Sequence, residues 1–587
     1  MKYRWKQSET SDEQGIQKLA QSINVSPTIA RILVSRGIGD FEKARSFFRP
    51  SLDDLLDPFL MDHMDRAVER VMRALDAGEK IAVYGDYDVD GTCSAAMLFL
   101  FLRERGGDVE VYIPDRFTEG YGVSETGIDR LAANGVRLII TIDCGITAVD
   151  QARYAKSLGI DVVICDHHEA GDDLPDAYAV LDPIKPGCSY PFKFLSGCGV
   201  GFKLMQGIAT KTGDVDTIYK YLDFVAMAAA ADIVPMIDEN RVLVSHGLRR
   251  LNDFTRPGLR GLLECAGMST GSIGTAQIVF GIAPRINAAG RLGDARRAVD
   301  MLIEDDEVRA FQKAQVLESA NRSRRTIDEE TFIAAEIMAQ QMLADGSVRV
   351  LVIHNPDWHP GVIGIVASRI VERYYVPTVL LTSVDGVAKG SARSIAGFDI
   401  HAALKQCEEH VEQFGGHKYA AGLSIQEGKI DVFRVALNEF ANTHIHDEML
   451  TPEVQIDAEA ALDELTPQFF NVVRQFAPFG PGNSRPNFLT REVEVIGYPK
   501  IVGKDHLKFR VRNGDGHIDA IAFGMGSRLG EIGGGGRIDI VYNIEENHYR
   551  GIVQPQLRII DFNRSGEPAR PRVPSNGAHV RAAQVNP

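Results

Sequence analysis

The sequence lacks three features that mark common classes of protein. Its seven cysteines include no C-x-x-C pair, which argues against a disulfide framework and a thiolate zinc site. The longest apolar runs, such as FVAMAAAA, fall short of the roughly 18 residues that cross a bilayer. The first residues contain no apolar signal segment. The sequence therefore predicts a soluble, cytoplasmic protein with reduced thiols and no membrane partner.

The sequence also lacks an excess of positive charge. Its 64 Lys and Arg are outnumbered by 80 Asp and Glu, for a net charge of −16, whereas nucleic-acid-binding proteins usually hold phosphate with Lys and Arg. A polyanionic partner is still compatible with this composition. An enzyme that holds divalent cations needs clustered carboxylates, and a local basic groove can bind a polyanion within an acidic protein.

Changes in residue pattern along the 587 residues predict several domains. Apolar residues at helical spacing come first, and short apolar runs that alternate with amphipathic segments follow, which indicates βαβ units and a parallel sheet. A stretch without Pro or Gly predicts a long connecting helix. The predicted segments are a helical region at 1–75, an α/β domain at 76–300, the connecting helix at 301–345, a smaller α/β domain at 346–450, an all-β domain at 451–563 and a disordered tail at 564–587.

Acidic residues and histidines follow the predicted strands of the first α/β domain. If the segment after the first strand is extended, its three aspartates point to one side. The carboxyl ends of parallel strands are where open α/β sheets bind ligands. The residues concerned are Asp86, Asp88 and Asp90 after the first strand, Asp143 after the third, Asp166, His167 and His168 after the fourth, and Asp232 after an apolar helical run.

This set of oxygen and nitrogen donors suits Mn²⁺ or Mg²⁺ better than a thiolate-bound zinc. Two such ions can activate a water and neutralise charge on a phosphoryl group, so the residues predict a two-metal phosphoesterase. A single aspartate after a strand is more often a helix N-cap, but the joint occurrence of these residues favours the metal site. A phosphorelay receiver also has aspartates at strand ends, yet it does not call for the pair of histidines.

The motifs DYDVDG, IDCG, the Asp-His-His triplet at 166–168 and AADIVP resemble the four N-terminal motifs of the DHH phosphoesterase superfamily. In detail they are similar to those of the RecJ exonucleases, which act on single-stranded DNA in the 5′-to-3′ direction. The likeness continues through GIAPRINAAGRLGDA, HPGVIGIVASRI, GSARS, FGGHKYAAG and APFGPGNSRPNF. It implies an α/β fold with a DHH domain, a connecting helix, a smaller DHHA1 domain and a C-terminal OB-fold barrel.

The resemblance also implies roles for individual residues. The metal ligands would be Asp86, Asp88, Asp143, His167 and Asp232, with Asp90 as a further ligand or a supporting acid. The catalytic group would comprise His168, Asp143 and Asp166, with His168 contacting the scissile phosphate or acting as an acid near the leaving oxygen. The choice among Asp86, Asp88 and Asp90 is left open, because the first motif of the superfamily often opens with a histidine.

Basic and polar residues elsewhere are candidate contacts to DNA. In the strand HLKFRVR, apolar Leu507, Phe509 and Val511 alternate with cations, and Phe488 or Phe509 could stack on bases. A salt bridge to a surface acid is the alternative for each arginine. The candidates are Arg116, Tyr121, Arg285, Asn287, Arg291, Ser391, Arg393, His417, Lys508 and Arg510.

By resemblance the chain is expected to be a monomeric, processive exonuclease of DNA recombination and repair. It would release mononucleotides and cooperate with single-strand-binding protein and a RecQ-type helicase. Two alternatives remain: a small-substrate phosphoesterase of the same superfamily, such as a pyrophosphatase, cyclic-dinucleotide hydrolase or nano-RNase, and a non-catalytic replication scaffold. The helical region and the barrel speak against the first alternative, and the intact acidic motifs speak against the second.

Overall fold

A computed structural model of the chain describes residues 3–8, 12–116, 118–344, 346–384, 386–514, 516–533, 536–549 and 552–566. The strands are β1 (Arg4–Gln7), β2 (Ile81–Gly85), β3 (Val109–Tyr112), β4 (Leu138–Ile142), β5 (Asp161–Cys165), β6 (Ala179–Leu181), β7 (Leu351–His354), β8 (Thr378–Val384), β9 (Val387–Arg393), β10 (Gln413–His417), β11 (Ala420–Gln426), β12 (Glu453–Ile456), β13 (Ala458–Glu459), β14 (Phe488–Val502), β15 (His506–Asn513), β16 (Gly516–Ala522), β17 (Arg537–Tyr549) and β18 (Ile552–Arg564).

The helices are α1 (Glu13–Ile23), α2 (Pro27–Ser35), α3 (Phe41–Phe48), α4 (Met64–Asp76), α5 (Val89–Glu104), α6 (Glu125–Ala133), α7 (Val149–Ser157), α8 (Gly197–Thr212), α9 (Leu222–Ala231), α10 (Asp238–Asp253), α11 (Pro257–Cys265), α12 (Thr275–Gln277), α13 (Ala283–Leu292), α14 (Arg296–Leu302), α15 (Glu307–Leu343), α16 (Ile363–Tyr374), α17 (Ile400–Gln406), α18 (Ile430–His444), α19 (Pro467–Arg474) and α20 (Leu529–Ile532). In the part of the chain that the structure describes, no helix is both long enough and apolar enough to span a bilayer.

The chain divides into two compact units. The N-terminal unit comprises residues 12–324 and 471–485, and the C-terminal unit comprises the described parts of residues 1–11, 325–470 and 486–587. The predicted connecting helix is confirmed as α15, whose residues pass from one unit into the other. The domain boundaries derived from the sequence stay a prediction, and most of the predicted tail, residues 567–587, lies outside the described residues.

The N-terminal unit is built on a five-stranded parallel sheet in the order β3-β2-β4-β5-β6. Its four predicted strands are confirmed, and β6 is an addition that the sequence pattern did not reveal. Alternate residues of the strands enter two separate apolar cores, with Val83 in one and Ala82 in the other. Because helices cover both faces, the strands are mostly apolar, as expected for a parallel sheet.

The C-terminal unit contains two further large sheets. A mixed sheet in the order β10-β11-β9-β8-β7 carries a core on each face. In the second sheet, β14 pairs with both β15 and β17, so strands β14 to β18 close into the predicted barrel. The short strand β1 pairs in parallel with β12, so residues 4–7 are extended rather than helical as predicted. Local apolar spacing could not reveal this pairing, since the partner strand lies far along the chain.

Candidate metal centre

The first acidic motif forms a turn and the start of a helix. Strand β2 ends at Gly85, and the Asp88 carboxylate caps helix α5 by accepting a hydrogen bond from the Gly91 amide at 3.0 Å. Asp90 then lies in the first helical turn. The expectation of an extended segment with three parallel aspartates is therefore wrong. Gly91 has a structural role, since a Cβ there would lie 2.4 Å from the Asp86 carbonyl oxygen.

Acidic and histidine side chains from four segments of the N-terminal unit meet at the carboxyl end of the sheet. Their ligand atoms lie within 4.8 Å of one another in each of three groups. The groups are Asp86, Asp88 and Asp143; Asp90, His167 and Asp232; and Asp143, His167 and His168. The geometry thus brings together every metal-binding residue that the sequence predicts.

The three aspartates of the first motif differ in their surroundings. Both Asp90 oxygens accept hydrogen bonds from the first turn of α8, at 2.7 Å from the Gly197 amide and 2.8 Å from the Cys198 amide. Asp86 keeps its Oδ1 buried with no hydrogen-bond partner among the described residues. Asp86 and Asp88 therefore offer freer ligand atoms than Asp90, which suits the supporting role that the sequence left open for Asp90.

His167 lies at the centre of the cluster. Its Nε2 is 3.1 Å from Asp143 Oδ1, 3.7 Å from Asp232 Oδ2 and 3.9 Å from Asp90 Oδ2. Within the described residues, neither His167 Nε2 nor Asp143 Oδ1 makes a hydrogen bond of acceptable geometry, although both atoms are buried. Buried polar atoms are normally hydrogen-bonded. Nitrogen and oxygen atoms that converge without such bonds therefore fit the ligands of a divalent cation.

The electrostatics of the cluster agree with a cation site. Burial and then the neighbouring Asp88 raise the pKa of Asp86 to about 8 and that of Asp90 to about 7. Burial and then Asp90 raise the pKa of Asp232 to about 8. Burial lowers the pKa of His167 to about 4, so its ring is neutral and can act as a ligand. Carboxylates that repel one another so strongly gain most from a bound divalent cation.

Asp166 organises the neighbouring histidine. Its Oδ1 lies 2.7 Å from His168 Nδ1, and its Oδ2 accepts a hydrogen bond from the Ile146 amide at 2.8 Å. Burial alone would favour a neutral acid, but the His168 hydrogen bond holds the pKa of Asp166 below its ordinary value. Burial would lower the pKa of His168, but Asp166 raises it to about 9. His168 is therefore a protonated imidazole at neutral pH, with Nε2 3.3 Å from the Tyr121 hydroxyl.

Some residues at the centre were not found from the sequence. Asp182 follows β6, is fully buried, and its Oδ2 has no partner among the described residues. Burial raises the pKa of Asp182 to about 7. Gly197 allows α8 to approach Asp143, because a Cβ at that position would lie 2.5 Å from the Asp143 Cβ. Asp182 follows the fifth strand of the sheet, as the other acids follow theirs. This strand has only three residues, which is too short to be recognised from its residue pattern.

The candidate DNA contacts of the N-terminal unit have varied surroundings. The Arg116 guanidinium lies 5.0 Å from the centre of the Tyr87 ring, and Tyr121 is exposed. Arg285, in contrast, is buried and donates to Glu318 at 2.6 Å and to the Gly281 carbonyl at 2.7 Å. This salt bridge is the alternative considered for the arginines, so a DNA contact by Arg285 stays a prediction. Asn287 and Arg291 lie partly exposed on the same helix, α13.

In the C-terminal unit, Ser391, Arg393 and His417 lie on neighbouring strands. Ala420 of β11 is opposite Arg393 of β9 and also opposite His417 of β10. The Arg393 Nη1 donates to Ser391 Oγ at 3.0 Å. A Cβ at Gly364 of α16 would lie 3.0 Å from the Arg393 guanidinium, so this glycine leaves room for it. The strands therefore place three polar candidates in one region of this sheet.

The predicted alternation in β15 is confirmed. Leu507, Phe509 and Val511 are buried in the barrel, whereas Lys508 and Arg510 lie on its outer face. Arg510 donates to Asp519 at 2.6 Å, so its charge is shared with an acid on the next strand. The suggestion that Phe488 or Phe509 stacks on bases is wrong for the described barrel, because both rings belong to its interior.

Three family profiles match this chain. They are described as the DHH family N-terminal domain at residues 80–229, the DHHA1 domain at residues 345–443 and the RecJ OB domain at residues 456–561. The single-stranded-DNA-specific exonuclease RecJ of Bacillus subtilis is 37% identical over 95% of this chain and 71% of its own length. The residue-level similarity thus includes all three domains.

Solved structures agree with the sequence comparison. A crystal structure of RecJ in complex with Mn²⁺ from Thermus thermophilus has a TM-score of 0.83 at 28% identity, over 96% of this chain and 80% of that one. The corresponding complex with Mg²⁺ has a TM-score of 0.77 at 27% identity, over 97% and 79%. The resemblance found in the motifs therefore extends to the fold and to the metals that related proteins bind. By these similarities, the chain belongs to the RecJ family of single-stranded-DNA-specific exonucleases.

Proposed function

We propose that this protein is a metal-dependent exonuclease that hydrolyses single-stranded DNA from the 5′ end and releases mononucleotides. The observation that carries the proposal is the convergence of buried, unpaired Asp86 Oδ1, Asp143 Oδ1 and His167 Nε2 atoms at the carboxyl end of the parallel sheet. Membership of the RecJ family supplies single-stranded DNA as the substrate. The 5′ polarity, processive action and the size of the product rest on the resemblance and are part of the proposal.

The residues fit two Mn²⁺ or Mg²⁺ ions. Asp86, Asp88 and Asp143 would hold one ion, and His167 and Asp232 would hold the second, with Asp143 close enough to serve both and Asp90 as the supporting acid beside them. When bound, such ions supply Lewis acidity, which lowers the pKa of water and neutralises charge on the phosphoryl oxygens. These positions are fixed because the carboxylates follow the ends of the strands and the start of α5, and the first turn of α8 holds the Asp90 carboxylate by hydrogen bonds.

His168 would act on the phosphodiester itself. Its Nδ1 is engaged by Asp166, so its Nε2 points outward toward Tyr121. With a pKa of about 9 the imidazole carries a proton at neutral pH, and it can donate this proton to a phosphate oxygen or to the departing sugar oxygen. Water gives its oxygen to phosphorus and loses a proton to solvent, the bond from phosphorus to the sugar oxygen breaks, and the proton of His168 goes to that oxygen. Solvent then reprotonates His168. Asp166 keeps the imidazole oriented and charged during this step.

The test is digestion of single-stranded DNA labelled at either end, with and without Mn²⁺. We expect labelled mononucleotides to appear first from the 5′-labelled strand, and none in the presence of a chelator. Asp143→Ala and His167→Ala should abolish release, and wild-type rates in these variants would contradict the metal assignment. Turnover of pyrophosphate in preference to a long oligonucleotide would favour the small-substrate alternative.

The cellular setting is a further part of the proposal. A cytoplasmic, monomeric enzyme of DNA recombination and repair would receive single strands from a RecQ-type helicase and work on DNA covered by single-strand-binding protein. An exonuclease needs a free end, and unwinding is the reaction that supplies a single strand from duplex DNA. Addition of a helicase to a blunt duplex should therefore convert a resistant substrate into a degraded one.

A further inference from the structure

A cavity of about 580 Å³ opens beside the metal centre, within the N-terminal unit. One side carries two proposed metal ligands, His167 and Asp232. The remaining lining is apolar at Phe194, Ile233, Leu195 and Val234 and charged at Glu169 and Lys193. Its volume falls within the range of roughly 300–1,000 Å³ that is usual for small-molecule sites. A molecule bound here would have one end at the metal ligands and the other against apolar surface.

Two of the apolar side chains are exposed to an unusual degree. Phe194 is 49% exposed and Ile233 is 59% exposed. Ile233 also has a φ of 61°, in the left-handed region that β-branched residues rarely adopt. Such backbone strain persists only where surrounding structure imposes it, and it concentrates at functional sites. Ile233 immediately follows the proposed ligand Asp232, so the same turn presents a carboxylate and an apolar side chain.

The two walls of the cavity are fixed by one buried amide. Asn240 is 1% exposed, and its Nδ2 donates to the Phe194 carbonyl and, at 3.0 Å, to the Pro235 carbonyl. It therefore joins the segment that carries Phe194 to the turn that carries Ile233. The Phe194 ring is also placed by an edge contact with Phe192, with ring centres 5.8 Å apart. The apolar surface is thus a built feature of the fold.

We propose that Phe194 and Ile233 form a seat for the base and sugar of the terminal nucleotide, whose 3′-linked phosphate, the one that is cut, lies at the metal centre. This inference rests on the proposed function. A base has an apolar face that stacks on an aromatic ring whatever its identity. The cavity lies directly beside two proposed metal ligands, so it suits the one nucleoside that adjoins the phosphate being cut. Asn240 is a positioning residue, since it acts through the backbone of both segments.

The experiment compares Phe194→Ala and Ile233→Asn with wild type on two single strands. One has an ordinary terminal nucleotide and the other has an abasic terminal nucleotide. Asn tolerates the left-handed conformation at 233 and removes the apolar side chain. On the ordinary strand, we expect each variant to raise KM about tenfold, the loss of one stacked base, with little change in kcat. On the abasic strand the variants and wild type should be alike.

This dependence on the base is a coupling between two sites, which a structural defect would not produce. Phe254→Ala is the matched control, because Phe254 is an exposed aromatic residue of the same unit that does not line the cavity. Phe194→Tyr should restore the wild-type KM. Losses from the variants and the abasic site that simply multiply would overturn the proposal. A third strand, abasic at the second nucleotide, gives a further check. The proposal would also be overturned if the coupling appeared only with that strand.

A binding measurement separates this inference from the exonuclease assignment. With Mg²⁺ present, 2-aminopurine deoxynucleoside 5′-monophosphate should lose fluorescence on binding to wild type and keep it with Phe194→Ala. Equal quenching by both proteins would overturn the seat, whether or not DNA is degraded. Failure of the wild type to release nucleotides, with quenching intact, would instead contradict the exonuclease proposal and leave the seat supported.

Discussion

His168 Nδ1 lies 2.7 Å from Asp166 Oδ1, and the same oxygen accepts a hydrogen bond from the His167 amide at 2.8 Å. One carboxylate, on a residue that is only 1% exposed, therefore positions both histidines of the triplet. The adjacent histidines have opposite properties as a result. The pKa of His167 falls to about 4 through burial, whereas Asp166 raises that of His168 to about 9 against the effect of burial. One ring is suited to bind a metal and the other to carry a proton.

The first prediction concerns this pair. Asp166→Asn removes the charge that orients and protonates His168, so we expect kcat to fall by about 10²–10⁴, the range typical for loss of proton transfer. KM should change much less, because the metal ligands remain. Steady-state digestion of a labelled single strand in Mn²⁺ measures both constants. Asp173→Asn, an exposed acid on the following loop, is the matched control. A kcat near that of wild type would show that His168 needs no carboxylate partner.

The second prediction concerns metal and stability. Because the buried carboxylates repel one another, we expect saturating Mn²⁺ to raise Tm by on the order of 5 °C relative to protein in a chelator. Asp86→Asn removes one carboxyl whose ionised form is unfavourable without a metal, and it leaves a side chain of the same size. This variant should melt at or above the wild type in chelator, yet gain little from Mn²⁺. Thermal unfolding of both proteins in Mn²⁺ and in chelator measures these differences. If Mn²⁺ raised the Tm of Asp86→Asn as much as that of wild type, Asp86 would not be a metal ligand.

The structure brings the predicted ligands together for a physical reason. They follow a strand or an apolar helix within a few residues, so the topology of a parallel sheet brings them to one edge. The sequence does not reveal how each aspartate is held, because this depends on distant partners. Asp90 is fixed by amides of Gly197 and Cys198, more than a hundred residues away. Asp182 was missed because its strand is short and its burial depends on the finished sheet.

The fold shows the same division between local and distant information. Alternation predicts β15, and the absence of Pro and Gly predicts α15, since both signals are local. The pairing of β1 with β12 and the burial of Arg285 against Glu318 depend on contacts across the folded unit. Such contacts also explain why the burial of a charged residue is hard to predict from its type. A charged side chain can be buried once the folded structure provides it with a partner.

The third prediction concerns the attachment of the first strand. Asp561 is 1% exposed and accepts hydrogen bonds from Trp5 Nε1 at 2.9 Å, from the Tyr3 amide at 3.2 Å and from Arg528 at 2.7 Å. Asp561→Leu removes one of the two carboxylates that pair with Arg528, which keeps Glu531 at 3.0 Å, and it leaves the Trp5 and Tyr3 donors without their acceptor. The loss should cost about 3 kcal/mol of unfolding free energy. Trp5→Phe removes one hydrogen bond and should cost about 1 kcal/mol. Urea unfolding measures both, and equal effects would show that Arg528 contributes nothing.

The fourth prediction separates two cations on the outer face of the barrel. Lys508 has no ion pair among the residues that the structure describes, whereas Arg510 is joined to Asp519 at 2.6 Å. If this face binds DNA, Lys508→Ala should weaken binding of a single strand and lower the slope of log affinity against log salt by about one ion. Arg510→Ala should have a smaller effect, because its charge is already partly neutralised and its removal leaves an exposed acid.

Fluorescence anisotropy with a labelled oligonucleotide over a range of salt concentrations measures both slopes. Arg510→Ala combined with Asp519→Ala is the decisive variant, since it removes the ion pair without leaving a net negative charge. We expect its slope to match that of wild type. A slope that falls as far as in Lys508→Ala would mean that Arg510 leaves Asp519 and contacts phosphate when DNA binds. Unchanged slopes in all variants would place the DNA on another face of the barrel.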